Sequence, residues 1–216
     1  MTLLFVLFVC MQLFFSTEAS KVNVTVYYSS HCWYSRMFIS NQLLPTYEEM
    51  SDIMNVTLIP YGKAKVYIQD KAGNLEFECR FGNNECKAML MQSCALNMYN
   101  MSTVLPFIAC MEKSTAPQKE SQSCAEKTNL DISTLKSCST GKQGKQYLKQ
   151  NGLKTNALQP NLDYVPWILF NGVYSRPMQL EAREDLKLLI CKLYNETSGP
   201  KDDIVACQTT YEILNR

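Results

Sequence analysis

Val22-Asn23-Val24-Thr25-Val26-Tyr27-Tyr28, followed at once by Ser29-Ser30-His31-Cys32-Trp33-Tyr34-Ser35, decides how this chain folds. Val22, Val24, Val26 and Tyr28 alternate with Asn23, Thr25 and Tyr27, a β-branched and aromatic run that reads as a strand. From Ser35 onward the apolar spacing changes to Phe38, Ile39, Gln42 and Leu43, then Tyr47, Met50 and Met54, a helical period with a kink expected at Pro45. Val56 to Ile59 read as a second strand, closed by Pro60-Tyr61-Gly62. Strand, helix and strand of these lengths make a βαβ unit, and Cys32 falls where the first strand hands over to the helix.

Working outward, Val66 to Gln69 and Leu75 to Glu78 flank the turn-rich Asp70-Lys71-Ala72-Gly73-Asn74, a hairpin or local excursion. Residues 79–160 are rich in Ser, Lys and Gln and show scattered helical patterns such as Gln143 to Gln150. This stretch reads as a disulfide-stapled, largely helical insertion, whose cross-links substitute for a core that so polar a segment cannot build alone. Strong signals return at Tyr164 to Phe170, then Asn171-Gly172, then Val173-Tyr174, the pattern of a tight hairpin. Leu186, Leu189, Ile190 and Leu193 follow with the period of an amphipathic helix that should cover the sheet. The whole is expected to be an α/β, thioredoxin-like fold: a leader over 1–19, a first half over 20–78, the insertion over 79–160, a second half over 161–195, and a tail over 196–216 held by Cys207.

Leu3 to Phe15 is an apolar run ending in Thr17-Glu18-Ala19, a pattern that reads as a cleaved signal peptide. The run is too short to span a bilayer, and no later segment is long enough, so no membrane span is expected. The missing basic residues before the run leave a short anchored helix as the alternative. Loss of the leader removes Cys10 and turns the ten cysteines into nine. In an oxidising compartment Cys79, Cys86, Cys94, Cys110, Cys124, Cys138, Cys191 and Cys207 read as four disulfides of undetermined connectivity, with Cys32 left over. Zinc is the rival reading, but none of these eight stand in C-x-x-C spacing, so no metal and no cofactor are expected. Sequons at Asn23, Asn55, Asn100 and Asn195 agree with passage through the secretory pathway and make these residues candidate glycosylation sites. Secretion is the expected destination and the lysosome the alternative. With 21 Lys and Arg against 20 Asp and Glu, the chain has no field that would favour nucleic acid or a membrane surface.

Cys32-Trp33-Tyr34-Ser35 occupies the position at which a thiol–disulfide enzyme of this fold keeps Cys-x-x-Cys. A dithiol reductase attacks with the first thiolate and needs the second thiol to resolve the mixed disulfide. Ser35 cannot do so. The helix start near Cys32 favours its thiolate, although an inert or paired Cys32 fits the sequence as well. Ser35, one turn on, is expected to face the same way and donate a hydrogen bond to the sulfur. His31, the only histidine, is read as a solvated modulator of Cys32 rather than a proton shuttle. Trp33 and Tyr34 read as packing or partner-contact residues.

Cys79-Arg80-Phe81-Gly82-Asn83-Asn84-Glu85-Cys86, with Cys94 beyond it, resembles the C-Q-H-G-x2-E-C-x2-N-x4-C signature of gamma-interferon-inducible lysosomal thiol reductases. Cys79, Gly82, Glu85, Cys86 and Cys94 match, while Arg80, Phe81 and Met89 stand where the family has Gln, His and Asn. The similarity extends to Val26-Tyr27-Tyr28, the Phe38 to Pro45 stretch, Pro60-Tyr61-Gly62 and Val165-Pro166-Trp167. It implies a thioredoxin-like fold, secretory or lysosomal residence, and reduction of protein disulfides through a Cys-x-x-Cys pair, of which only Cys32 is carried over. The substituted positions look like those of a divergent branch of the kind found in insects. The resemblance also implies that Pro166 is cis and lies with Val165 beside Cys32, where backbone pairs with substrate peptide.

These features lead to an expected secreted protein that has lost dithiol reductase activity and acts by binding an extracellular, cell-surface or lysosomal protein through Cys32, Trp33, Tyr34, Val165 and Pro166. A monothiol oxidoreductase or isomerase using Cys32 with a small thiol is the alternative, and the odd cysteine also allows a Cys32-linked dimer.

Overall fold

The computed structural model describes residues 21–68, 74–198 and 207. The leader, residues 69–73 in the first hairpin's turn, and the tail from 199 onward except Cys207 lie outside the described residues.

β1 (Val22–Tyr28) runs into α1 (Trp33–Phe38), a π-helical turn (Ile39–Leu43) and α2 (Leu44–Met50), before β2 (Met54–Pro60). Pro45 opens α2 and brings no N–H to the preceding turn. The expected kink is therefore a π-turn, with the Leu44 N–H reaching back to the Ile39 carbonyl. β1 and β2 pair in parallel from Val22 opposite Met54 to Tyr28 opposite Pro60. β3 (Lys65–Ile68) and β4 (Leu75–Glu78) form a separate antiparallel ribbon. Five helices follow: α3 (Asn83–Met98), α4 (Met101–Glu112), α5 (Pro117–Lys127), α6 (Ile132–Thr140) and α7 (Lys142–Asn156). The chain returns through β5 (Trp167–Phe170) and β6 (Val173–Tyr174), then α8 (Arg176–Glu184) and α9 (Leu186–Ser198). The main sheet has the order β2-β1-β5-β6, with β5 antiparallel to β1.

Both faces of β1 are covered. Val22, Val24, Val26 and Tyr28 enter the main core with Ile168 and Phe170, under α9, whose Leu186, Leu189, Ile190 and Leu193 are buried. Tyr27 packs on the other side with Ile59, Trp167, Leu169 and Leu158. Asn171 and Gly172 both take positive φ, as the Asn-Gly pair requires for a tight hairpin.

The helical segment corrects one expectation. Val104, Leu105, Phe107, Ile108, Ala109 and Met111 of α4 are fully buried and belong to the same core as β1 and α9. The average polarity of residues 79–160 hid one apolar helix, so the segment is a full layer of the fold, cross-linked by Cys94–Cys138 and Cys110–Cys124. α8 was not read from the sequence at all. Ser175 caps it through the Met178 N–H, and a proline stands in its first turn.

We expect Phe107→Ala to cost about 3–5 kcal/mol and to lower one cooperative unfolding transition of the whole chain. Urea unfolding followed by tryptophan fluorescence and circular dichroism checks this; a sheet signal unmoved by the substitution would mean that the helical layer folds separately.

Candidate functional site

Cys32 sits in extended conformation just ahead of α1, with its N–H on the Ser29 carbonyl at 3.2 Å and its own carbonyl accepting from the Arg36 N–H at 3.0 Å. Its thiol is half-buried and donates across to the Val165 carbonyl at 3.4 Å, making no capping bond to the helix. The Val165-Pro166 peptide is cis, and Pro166 is buried at the entrance to β5. Gln179 of α8 fixes this corner: its Nε2 donates to the Pro166 carbonyl at 2.8 Å and its Oε1 accepts from the Ile168 N–H at 3.0 Å. Both bonds are buried, so α8 holds the strand entrance that the Cys32 sulfur touches.

Ser35 departs from expectation. It is 0% exposed, and its Oγ accepts from the Ser29 N–H at 3.5 Å instead of reaching the Cys32 sulfur. Ser29 stands just past the last paired residue of β1 and is itself buried, so its N–H needs an acceptor that the ladder no longer supplies. The residue at the resolving position is thus turned inward and serves the backbone.

A buried polar network starts from Tyr28 and Ser29, at the turn that leads to Cys32. The Glu85 carboxylate accepts from Ser29 Oγ and, at 2.7 Å, from the Phe81 N–H. Tyr28 donates to Gln92 Oε1 at 3.0 Å, and Gln92 Nε2 donates to Glu112 Oε1 at 2.6 Å. Glu112 Oε2 is buried with no hydrogen-bond partner. Burial pushes the Glu112 carboxyl well above the usual carboxylate range and the nearby Glu85 adds to the rise, against opposing effects of Gln92 and Arg36. His31 is half-buried, which lowers its pKa; Glu85 raises it again and Arg36 lowers it further. Arg36 is held by its Nε on the Glu112 carbonyl at 3.0 Å.

Trp33 and Tyr34 are 59% and 52% exposed and meet edge to face. The eight cysteines other than Cys32 form Cys79–Cys86, Cys94–Cys138, Cys110–Cys124 and Cys191–Cys207. Cys32 is the free cysteine among the described residues. Of the sequon asparagines, Asn23 and Asn55 are exposed cross-strand neighbours, Asn100 caps α4, and Asn195 is half-buried.

A family model for gamma interferon inducible lysosomal thiol reductase matches residues 23–128, which include Cys32, Ser35 and the Cys79–Cys86 loop. The gamma-interferon-inducible lysosomal thiol reductase of Carassius auratus is 39% identical over 82% of this chain and 70% of its own length. The chain belongs to this family. The Mus musculus thiol reductase is 34% identical over 83% of the chain and 70% of its own length. A thiol reductase-like protein of Anopheles gambiae is 30% identical over 80% and 77%. Among solved structures, reduced DsbA of Mycobacterium tuberculosis covers 90% of the chain and 91% of its own, with a TM-score of 0.55 at 18% identity. DsbA of Chlamydia trachomatis covers 84% and 90%, with a TM-score of 0.56 at 13% identity. These likenesses show the thioredoxin-like fold, and family membership makes this a protein of the thiol–disulfide oxidoreductase kind. Among the described residues no helix is long and apolar enough to cross a membrane.

Gln92, Glu112 and Gln179 were missed by sequence reasoning, since single polar residues inside helical patterns carry no periodic signal. Glu85 was visible only as a match to the family signature.

The raised pKa of Glu112 makes a signed expectation. A carboxyl whose folded pKa lies above its ordinary value of 4.5 gives its full contribution to stability below that value and loses it as pH rises toward the folded pKa. Denaturant unfolding between acidic and neutral pH should therefore show stability falling more steeply in the native chain than in Glu112→Gln. Parallel curves would mean that Glu112 does not titrate in this range.

Proposed function

We propose that this family member has lost dithiol reductase turnover and acts by capturing a protein partner through Cys32. The observation that carries this reading is the buried Ser35 at the resolving position, with the eight other described cysteines closed in disulfides. The Cys32 thiolate can attack one sulfur of a partner disulfide; the new S–S bond forms as the old one breaks, and the partner's other sulfur leaves as a thiolate and takes up a proton. Release needs a further thiolate to attack that bond, and no described side chain of this chain supplies one. The half-exposed sulfur, the exposed Trp33 and Tyr34, and the neighbouring Val165 then favour holding the partner over letting it go. Secretion or lysosomal delivery, with glycans at the sequons, is the setting this chemistry implies, since partner disulfides persist there.

A second reading keeps catalysis. Cys32 is accessible, so a small thiol such as glutathione could attack the mixed disulfide and restore the thiol, making a monothiol oxidoreductase.

Turnover of a protein disulfide by the native chain and by Ser35→Cys, with and without glutathione, separates the two. Capture predicts negligible turnover by the native chain in both conditions and a gain on Ser35→Cys. Glutathione-dependent native turnover that Cys32→Ala abolishes would replace capture by the monothiol reading.

A further inference from the structure

Two of the four sequons lie side by side in the sheet. Asn23-Val24-Thr25 belongs to β1 and Asn55-Val56-Thr57 to β2, and the parallel ladder sets Asn23 opposite Asn55, Val24 opposite Val56 and Thr25 opposite Thr57. Val24 and Val56 are buried in the main core, so both asparagines and both threonines take the opposite face. There Asn23, Asn55 and Thr57 are exposed and Thr25 is half-buried. The two motifs stand 32 residues apart in the chain and become neighbours only when the strands pair.

The two asparagine side chains already touch, with Asn55 Nδ2 donating to Asn23 Oδ1 at 3.2 Å. On the other flank Asn171, in the turn between β5 and β6, accepts from the Asn23 N–H through its Oδ1 at 2.9 Å and donates its own N–H to the Asn23 carbonyl at 2.8 Å. The Asn23 backbone is thus fixed from both sides, and neighbouring strands stand only about 4.8 Å apart. N-glycosylation joins an asparagine Nδ2 to the anomeric carbon of an N-acetylglucosamine carried on a lipid diphosphate donor. The C–N bond forms as the C–O bond to phosphate breaks; the diphosphate leaves with the bonding pair and the amide gives up one proton. A sugar ring with its N-acetyl arm is wider than the strand spacing, so two of them rooted on this pair collide unless β1 and β2 part. Parting the strands would uncover Val24 and Val56, the residues that hold their register. A single glycan meets no such conflict. On Asn23 it uses Nδ2 and leaves Oδ1 to accept from Asn55.

We propose that Asn23 and Asn55 form one glycosylation site that accepts a single N-linked glycan per folded chain, occupancy of either asparagine excluding the other. This rests on passage of the chain through the secretory pathway, and it says how much sugar this face of the sheet admits. Asn23 stands near the start of β1, roughly 16 Å of strand from Tyr28, so the glycan is rooted at the end of the strand away from the Cys32 turn.

The test is intact mass spectrometry of the full chain secreted by a eukaryotic cell, after an endoglycosidase has trimmed each glycan to one N-acetylglucosamine. Ser102→Ala and Thr197→Ala remove the other two sequons and keep the Asn100 side chain that caps α4. The secreted chain should carry one residual sugar and no second. Thr25→Val or Thr57→Val removes one sequon of the pair while keeping a β-branched residue in the strand. Whichever change deletes the occupied sequon should shift the glycan to the other asparagine, a several-fold gain in that occupancy. Glycopeptide mapping of the native chain gives an independent reading, in which the fractions of Asn23 and Asn55 modified should not sum to more than one. A main mass with two sugars, no sugar at the pair in any chain, or occupancy of each asparagine that ignores loss of the other sequon overturns the proposal. Failure of secretory passage itself shows differently, as chain retained in the cytosol with its eight paired cysteines as free thiols, and would end both readings.

Discussion

A carboxylate buried under the reactive turn is the constraint on which this site depends. Glu85 is taken out of water, where an unpaired charge is costly, and is tolerated because Ser29 Oγ and the Phe81 N–H both donate to it. Those two partners belong to different parts of the chain: Ser29 follows the first strand, and Phe81 lies in the loop closed by Cys79–Cys86. One side chain thus joins the end of the sheet to the helical layer at the turn that carries Cys32. Gly62 completes the junction at φ 59°, where a Cβ would come within 2.8 Å of the Ser29 Cβ, so the turn after β2 can close over Ser29 only as glycine.

With this junction set, the chemistry of the site turns on the pair Cys32 and Ser35. A family scaffold, a thiol at the strand-to-helix turn and a backbone carbonyl beside it are present, and position 35 carries a hydroxyl that is sealed inside. The oxygen at position 35 has a structural task, accepting from the Ser29 N–H. The polar residues from Tyr28 through Gln92 to Glu112 are continuous hydrogen-bond partners, ending at a Glu112 carboxyl whose pKa burial raises and whose Oε2 has no partner.

Much of the fold was legible because its signals are local. The alternation from Val22 to Tyr28, the Asn-Gly turn and the period of Leu186 to Leu193 each follow from backbone geometry, and each appears as expected. The count made one leftover cysteine legible, and its place at the strand-to-helix turn pointed to Cys32, which is the free one among the described residues. The four pairings were not, because proximity between α3 and α6 or between α4 and α5 arises only when the helices pack. The burial of α4 was missed because composition was averaged over a long polar stretch. Ser35 turned inward for a reason invisible in the chain, the unmet N–H at the end of a strand. Gln179 lay in a helix that no apolar stripe announced, and its task is to satisfy backbone groups around Pro166.

The central claim is that Cys32 can attack and cannot let go unaided. Its most direct measurement is mass spectrometry of the native chain, peptide-mapped after reaction with a small aromatic disulfide and no added thiol. The account predicts one equivalent of leaving thiol per chain and a lasting adduct on Cys32, with the four disulfides unchanged. An unmodified Cys32, or loss of the adduct with a new internal disulfide to Cys32, would contradict it.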